Sequence, residues 1–81
     1  MKYIDFTLKI APKYFEAQLV GLKNFEIRKD DHEKHFNGGD IIRLAEWENG
    51  SYTGRKIYRV ITYVTDYEQK PGYVVLGTKP L

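Results

Sequence analysis

Hydrophobic and polar positions alternate in several short blocks along this chain, and the blocks lay out its elements. In Tyr3 to Ile10, the residues Ile4, Phe6, Leu8 and Ile10 share one face, with Asp5, Thr7 and Lys9 opposite. That is the period-two signature of a half-buried strand. Pro12 suits the first turn of a helix, where its missing N–H costs nothing. The spacing then predicts a helix over Lys13 to Val20, with Phe15 and Leu19 four apart on one face and Tyr14 and Ala17 beside them. Gly21 is the expected left-handed stop. So short a helix needs tertiary packing to persist. Asn24 to Lys29 alternates again: Phe25 and Ile27 point one way, and Asn24, Glu26 and Arg28 the other. A polar loop from Asp30 to Gly39 follows. Asp40 to Trp47, Tyr52 to Thr65 and Tyr73 to Thr78 read as three further strands, the last after a break at Pro71-Gly72. The order is β-α-β-β-β-β, and closing so small a sheet into a barrel would remove its exposed edges.

Asn49-Gly50 is a strong hairpin signal, because a type I′ turn needs positive φ at both central residues. With these two as the loop, Glu48 faces Ser51, Trp47 faces Tyr52, Arg43 faces Lys56 and Ile42 faces Ile57. One face then carries Ile42, Leu44 and Ile57 and reads as core. The other carries Arg43, Trp47, Tyr52 and Lys56 and reads as solvent-exposed, since two cations directly opposite repel without water or an anion between them. A bulge at Gly54 would shift every pair beyond it.

Composition narrows the class. Eighty-one residues make one domain, spanning 1–81. Aromatics at 15% argue against disorder and must supply much of the core. Thirteen basic residues against eleven acidic give a net charge of only +2, too small by itself to prove a polyanionic partner. With no cysteine, disulfides and thiolate metal sites are excluded. No apolar run reaches the roughly 18 residues of a membrane span, and no signal-peptide core follows Met1. A cytoplasmic protein with no membrane association is the expectation.

Several blocks together resemble one family. They are Leu8-Lys9-Ile10; Tyr14-Phe15-Glu16-Ala17; Gly21 to Lys29, of which Gly21 to Arg28 is the most specific; Gly39-Asp40; Glu46-Trp47; Tyr52 to Arg55; and Tyr73 to Gly77. The chain is similar to the ASCH domain family of the PUA-like superfamily, in its small bacterial and phage branch. The resemblance implies an α+β, mainly β fold: a small β-barrel with one N-terminal helix beside a cleft, proposed to bind RNA. Two departures stand out. Asp30-Asp31-His32 replaces the branch's asparagine-aspartate-arginine turn, weakening phosphate contact there. Phe6-Thr7 precede Leu8, where the branch commonly has a histidine. A related ASCH subfamily hydrolyses an acyl group from modified cytidine, using a lysine three residues before a threonine nucleophile. Lys23 matches that lysine, but Glu26 stands at the threonine position. The subfamily's later glutamate falls in an insertion with no counterpart in this shorter chain.

The residues themselves offer three candidate sites. Glu26 and Arg28 are two apart on a strand and project from one face; Lys23 sits at its entry, and Lys9 joins them if the strands neighbour. Two or three cations with one carboxylate can grip a phosphate while the carboxylate accepts from a base or sugar. The plain alternative is a surface ion pair of little energetic weight. Second, Arg43, Trp47, Tyr52 and Lys56 combine rings that stack on unpaired bases with cations that track a backbone. The plain alternatives are a cross-strand Trp–Tyr pair that stabilises the hairpin, or cover by the helix. Arg55 and Arg59 share strand parity and would add one basic stripe. Third, His32 and His35 with Asp30, Asp31 and Glu33 are a weak metal pattern, because a closed site needs about four positioned ligands. No metal and no cofactor are expected. The leading expectation is therefore a non-catalytic RNA- or nucleotide-binding domain using Lys9, Lys23, Glu26, Arg28, Arg43, Trp47, Tyr52 and Lys56. The alternatives are a small amidohydrolase on an acylated modified nucleoside, with Lys23 and Glu26 catalytic, and a protein-interaction module. Oligomeric state is left open.

Overall fold

A computed structural model describes residues 3–30 and 35–81. Five strands and one helix follow in chain order: β1 (Phe6–Ile10), α1 (Pro12–Leu19), β2 (Phe25–Lys29), β3 (Ile41–Glu48), β4 (Ser51–Thr65) and β5 (Tyr73–Pro80). They form one sheet in the order β1-β3-β4-β5-β2. β1 runs parallel to β3, and the other neighbours are antiparallel. The expected barrel is a half-barrel. β1 and β2 are the two edges of the curled sheet and do not pair with each other. α1 is the only element that joins them in the chain, so it crosses the open seam. No helix among the described residues is long and apolar enough to cross a membrane.

The helix starts at Pro12, as its missing N–H favours, with Ala11 as a cap that makes no side-chain hydrogen bond. It ends in a Schellman turn: the N–H of Gly21 donates to the Gln18 carbonyl at 3.2 Å, and that of Leu22 to the Ala17 carbonyl at 2.9 Å. Gly21 has φ +82°, the left-handed conformation its lack of Cβ permits. The buried helical positions are Phe15 and Gln18, while the expected Leu19 is half exposed. Gln18 takes the inner place with its side-chain NH2 donating to two acceptors on β2, while its Oε1 is buried without a partner among the described residues.

The core lies inside the curl. Leu8 and Ile10 of β1, Ile42 and Leu44 of β3 and Leu76 of β5 pack around Phe15 from the helix. Phe36, from the loop before β3, stacks at 4.8 Å on Phe6 and completes one end. In β2 the parity expected from the sequence holds, but the polar side is the inner one: Glu26 is 3% exposed, whereas Phe25 and Ile27 are 43% and 53% exposed.

The hairpin turns at Asn49 and Gly50, both at positive φ, and pairs Glu48 with Ser51 and Trp47 with Tyr52 as expected. The register then shifts between Trp47 and Ala45, opposite Gly54 at φ +97°. Beyond this bulge Leu44 pairs with Ile57 and Arg43 with Tyr58, so the expected Arg43–Lys56 and Ile42–Ile57 pairs do not form. Lys56 lies across from Ala45 instead, which separates the two cations. The shift is by two residues, so faces are preserved. Ile42 and Leu44 are core, and Arg43, Trp47, Tyr52 and Lys56 stay on the outer face.

A basic cleft at the open seam

Between the two edge strands lies an open cleft of about 750 Å³. β1 supplies Lys9 and Ile10; α1 supplies Lys13, Tyr14 and Ala17; the turn after it supplies Leu22 and Lys23; β2 supplies Phe25 to Arg28. The first predicted cluster is thus brought together: Lys9, Lys23, Glu26 and Arg28 line one hollow. Four cations against one carboxylate give this lining a net charge of +3, while the whole chain carries +2.

Glu26 organises the floor. Its Oε1 accepts from Arg28 Nη2 at 2.6 Å and Nε at 3.1 Å. Its Oε2 accepts from Gln18 Nε2 at 2.9 Å and from the Lys23 ammonium. A carboxylate has about four lone-pair positions, so these four donors fill it. Burial pushes the Glu26 pKa up. The hydrogen bond from Lys23, the charge and hydrogen bonds of Arg28 and the amide of Gln18 outweigh that, and the group lies below the ordinary carboxylate range. Lys23 keeps two N–H groups, and Arg28 three, for other acceptors.

Gln18 also donates to the Phe25 carbonyl at 3.0 Å, on the edge of β2 that no strand covers. The backbone carbonyl of Gln18 accepts from Arg59 Nη2 at 3.1 Å. Helix, edge strand and β4 are therefore tied at one residue. Arg59 is buried, and burial lowers its pKa. The exposed stripe of Arg55 and Arg59 does not exist, because their shared face is the one the helix covers. Arg55 Nε and Nη2 bind the buried Glu46 carboxylate at 3.1 and 2.9 Å, Nη2 also reaches Glu16, and the guanidinium stacks 4.6 Å from the Phe15 ring centre. The hydrogen bonds from Arg55 and Thr53 lower the Glu46 pKa, and those to Glu46 and Glu16 raise that of Arg55.

The cleft walls are residues the sequence did not single out as a site. Tyr14 and Phe25 are exposed rings on either side of Lys23, whose ammonium lies 5.4 and 5.1 Å from their centres. Lys13, Leu22 and Ile27 complete the lip. The available signal was indirect: Tyr14 and Lys13 fall one turn ahead of Ala17 on a helix whose buried side is Phe15 and Gln18. At the opposite lip Lys9 sits 3.9 Å over the Trp47 ring, and Trp47 meets Tyr52 edge-on at 4.8 Å and 83°. Arg43, Tyr52 and Lys56 line a second hollow, on the outer face of the sheet. His35 Nδ1 is 3.0 Å from Asp30 Oδ1. Asp31, His32 and Glu33 lie outside the described residues.

Over residues 6–78 the chain matches the family described as a domain of unknown function, DUF3850, and it belongs to that family. It is 44% identical, over 59 residues, to an "Uncharacterized 12.9 kDa protein in GpA 3'region" of Escherichia phage P2. The match covers 73% of this chain and 52% of the phage protein, so the chain spans about half the length of that relative.

Proposed function

We propose that this DUF3850 domain binds a nucleotide or single-stranded RNA in the cleft between β1 and β2, without catalysis. The observation that carries the reading is the convergence of Lys9, Lys23 and Arg28 on one hollow walled by the exposed rings of Tyr14 and Phe25. Phosphate oxygens take the unused N–H groups of Lys23 and Arg28, with Lys9 closing from β1. A base stacks on the aromatic wall. The volume suits a ligand of nucleotide size, since small-molecule pockets run from about 300 to 1,000 Å³. The likeness to ASCH domains supports the same assignment. Glu26, its lone pairs filled, aims Lys23 and Arg28 rather than touching the ligand. A carboxylate so engaged, with a depressed pKa, is a poor proton acceptor, which disfavours hydrolysis with Glu26 as base.

The test is a titration with single-stranded RNA, read by the fluorescence of Trp47 (the single tryptophan) and by polarisation of a labelled strand. Binding moves Lys9 off the Trp47 ring and changes its emission. Affinity falls with salt as expected for two to four phosphates, at about 0.7 counterions each. Arg28→Ala lowers affinity roughly tenfold, the usual worth of a charge-assisted hydrogen bond. No change in either signal at low salt, with any oligonucleotide or nucleotide, removes the proposal.

A further inference from the structure

The outer face of β1, β3 and β4 carries a second cationic surface, and it meets the cleft at Lys9. Register places Lys9, Ala45 and Lys56 in one row across three strands, and Thr7, Arg43 and Tyr58 in the next. Ala45 is a low floor between two lysines. Arg43 Nε donates to Thr7 Oγ1 at 3.1 Å, which fixes the plane of the guanidinium and leaves its terminal nitrogens to other acceptors. Tyr52 stands at the margin of this hollow of about 340 Å³, with Trp47 against it. Arg55 also lines it, but its guanidinium is committed to Glu46 and Glu16. Among the described residues no carboxylate lines the hollow, and no ion pair holds Lys9, Arg43 or Lys56. Cations kept together without counter-charges form an electrostatic footprint for a polyanion.

We infer that this face is a second phosphate subsite, and that the ligand is an oligonucleotide single strand rather than a free nucleotide. The inference rests on the cleft reading and extends it. One nucleotide occupies the seam, and the strand passes Lys9 at the lip of β1. The following phosphates then lie over Ala45 between Lys9, Arg43 and Lys56. Trp47 and Tyr52 stand where a neighbouring base can stack. Lys9 belongs to both sites, so the path is continuous. The bulge at Gly54 is what makes it, because an unshifted register would put Lys56 directly against Arg43.

The experiment compares a mononucleotide with oligouridylates of increasing length, by polarisation and salt titration, for wild type, Arg43→Ala/Lys56→Ala and Arg28→Ala. Wild-type affinity should rise with length. The double variant should lose that rise, bind oligonucleotides roughly tenfold more weakly at low salt, and show a salt slope shallower by about 1.4, two phosphates at about 0.7 each. Lys56→Glu, at an exposed position, repeats the test without disturbing Arg43 and Thr7, and should weaken oligonucleotides still more. If oligonucleotide affinity and slope are unchanged in both outer-face variants while Arg28→Ala weakens binding roughly tenfold, the track is overturned and the cleft stands. If a mononucleotide binds as tightly as any oligonucleotide, the track is again overturned. If wild type binds neither, both readings fall together.

Discussion

Glu26 is a buried anion whose hydrogen bonds keep it charged, so its protonation is linked to folding. Its pKa is lowered from 4.5 in the folded protein. The stability it contributes is fully present above that unfolded value and is lost as pH falls through the lower folded value. Urea unfolding should therefore show a stability decline below about pH 4.5. Glu46, shifted in the same direction, adds to it. Glu26→Gln should lower stability near neutral pH and reduce the loss on acidification, because a Gln amide can accept from Arg28 yet sets N–H groups against Lys23 or Gln18. An unaltered acid limb in Glu26→Gln would show that the four donors do not hold the charge. Little of this was legible in the chain. Alternation showed that Glu26 and Arg28 share a face, but alternation does not say which face is inside, and Phe25 and Ile27 are the more apolar pair. The polar face turns inward because Gln18 and Lys23 meet Glu26 there, and their approach depends on how the helix turns back onto the strand.

At the scale of elements, α1 is a short helix without a side-chain N-cap or an acidic first turn, so its boundary interactions matter more than its propensity. Gly21 sets where the chain turns back toward Lys23 and β2. A Cβ at Gly21 meets nothing within 4 Å, so substitution is opposed by backbone conformation alone. Gly21→Ala should cost about 1–2 kcal/mol, or a fall in Tm of about 4–8 °C per kcal/mol for a domain of this size. Circular dichroism melting measures it, and an unchanged Tm would mean the left-handed stop is not needed. The glycine stop, the proline start, the strand order in the chain and the Asn49-Gly50 turn were all legible, because each rests on local backbone chemistry. The pairing beyond Trp47 was not: Gly54 marks a place for a bulge, but neither its occurrence nor its size is a local property. Leu19 illustrates the same limit, since the Gln18 side chain takes the interior place through its partners on β2.

For the whole molecule, the consequential feature is the sheet that stops short of closing. An edge strand with open backbone groups invites unwanted pairing. Here one of those groups, the Phe25 carbonyl, is engaged by Gln18, and charged Arg28 and Lys29 guard the rest of β2. On the proposed reading, a ligand in the seam touches β1 through Lys9, β2 through Arg28 and the turn before β2 through Lys23, with the two strands at opposite ends of a chain of neighbouring strands. Peptide-resolved hydrogen exchange should slow in β1 and β2 together on binding RNA, although the two share no ladder. Slowing in one alone would mean the ligand leans on a single side. The protein is, in this respect, a hoop left undone, and the proposed guest would be its clasp. Sealing that hoop by design would make a sturdier object with nowhere left to hold anything.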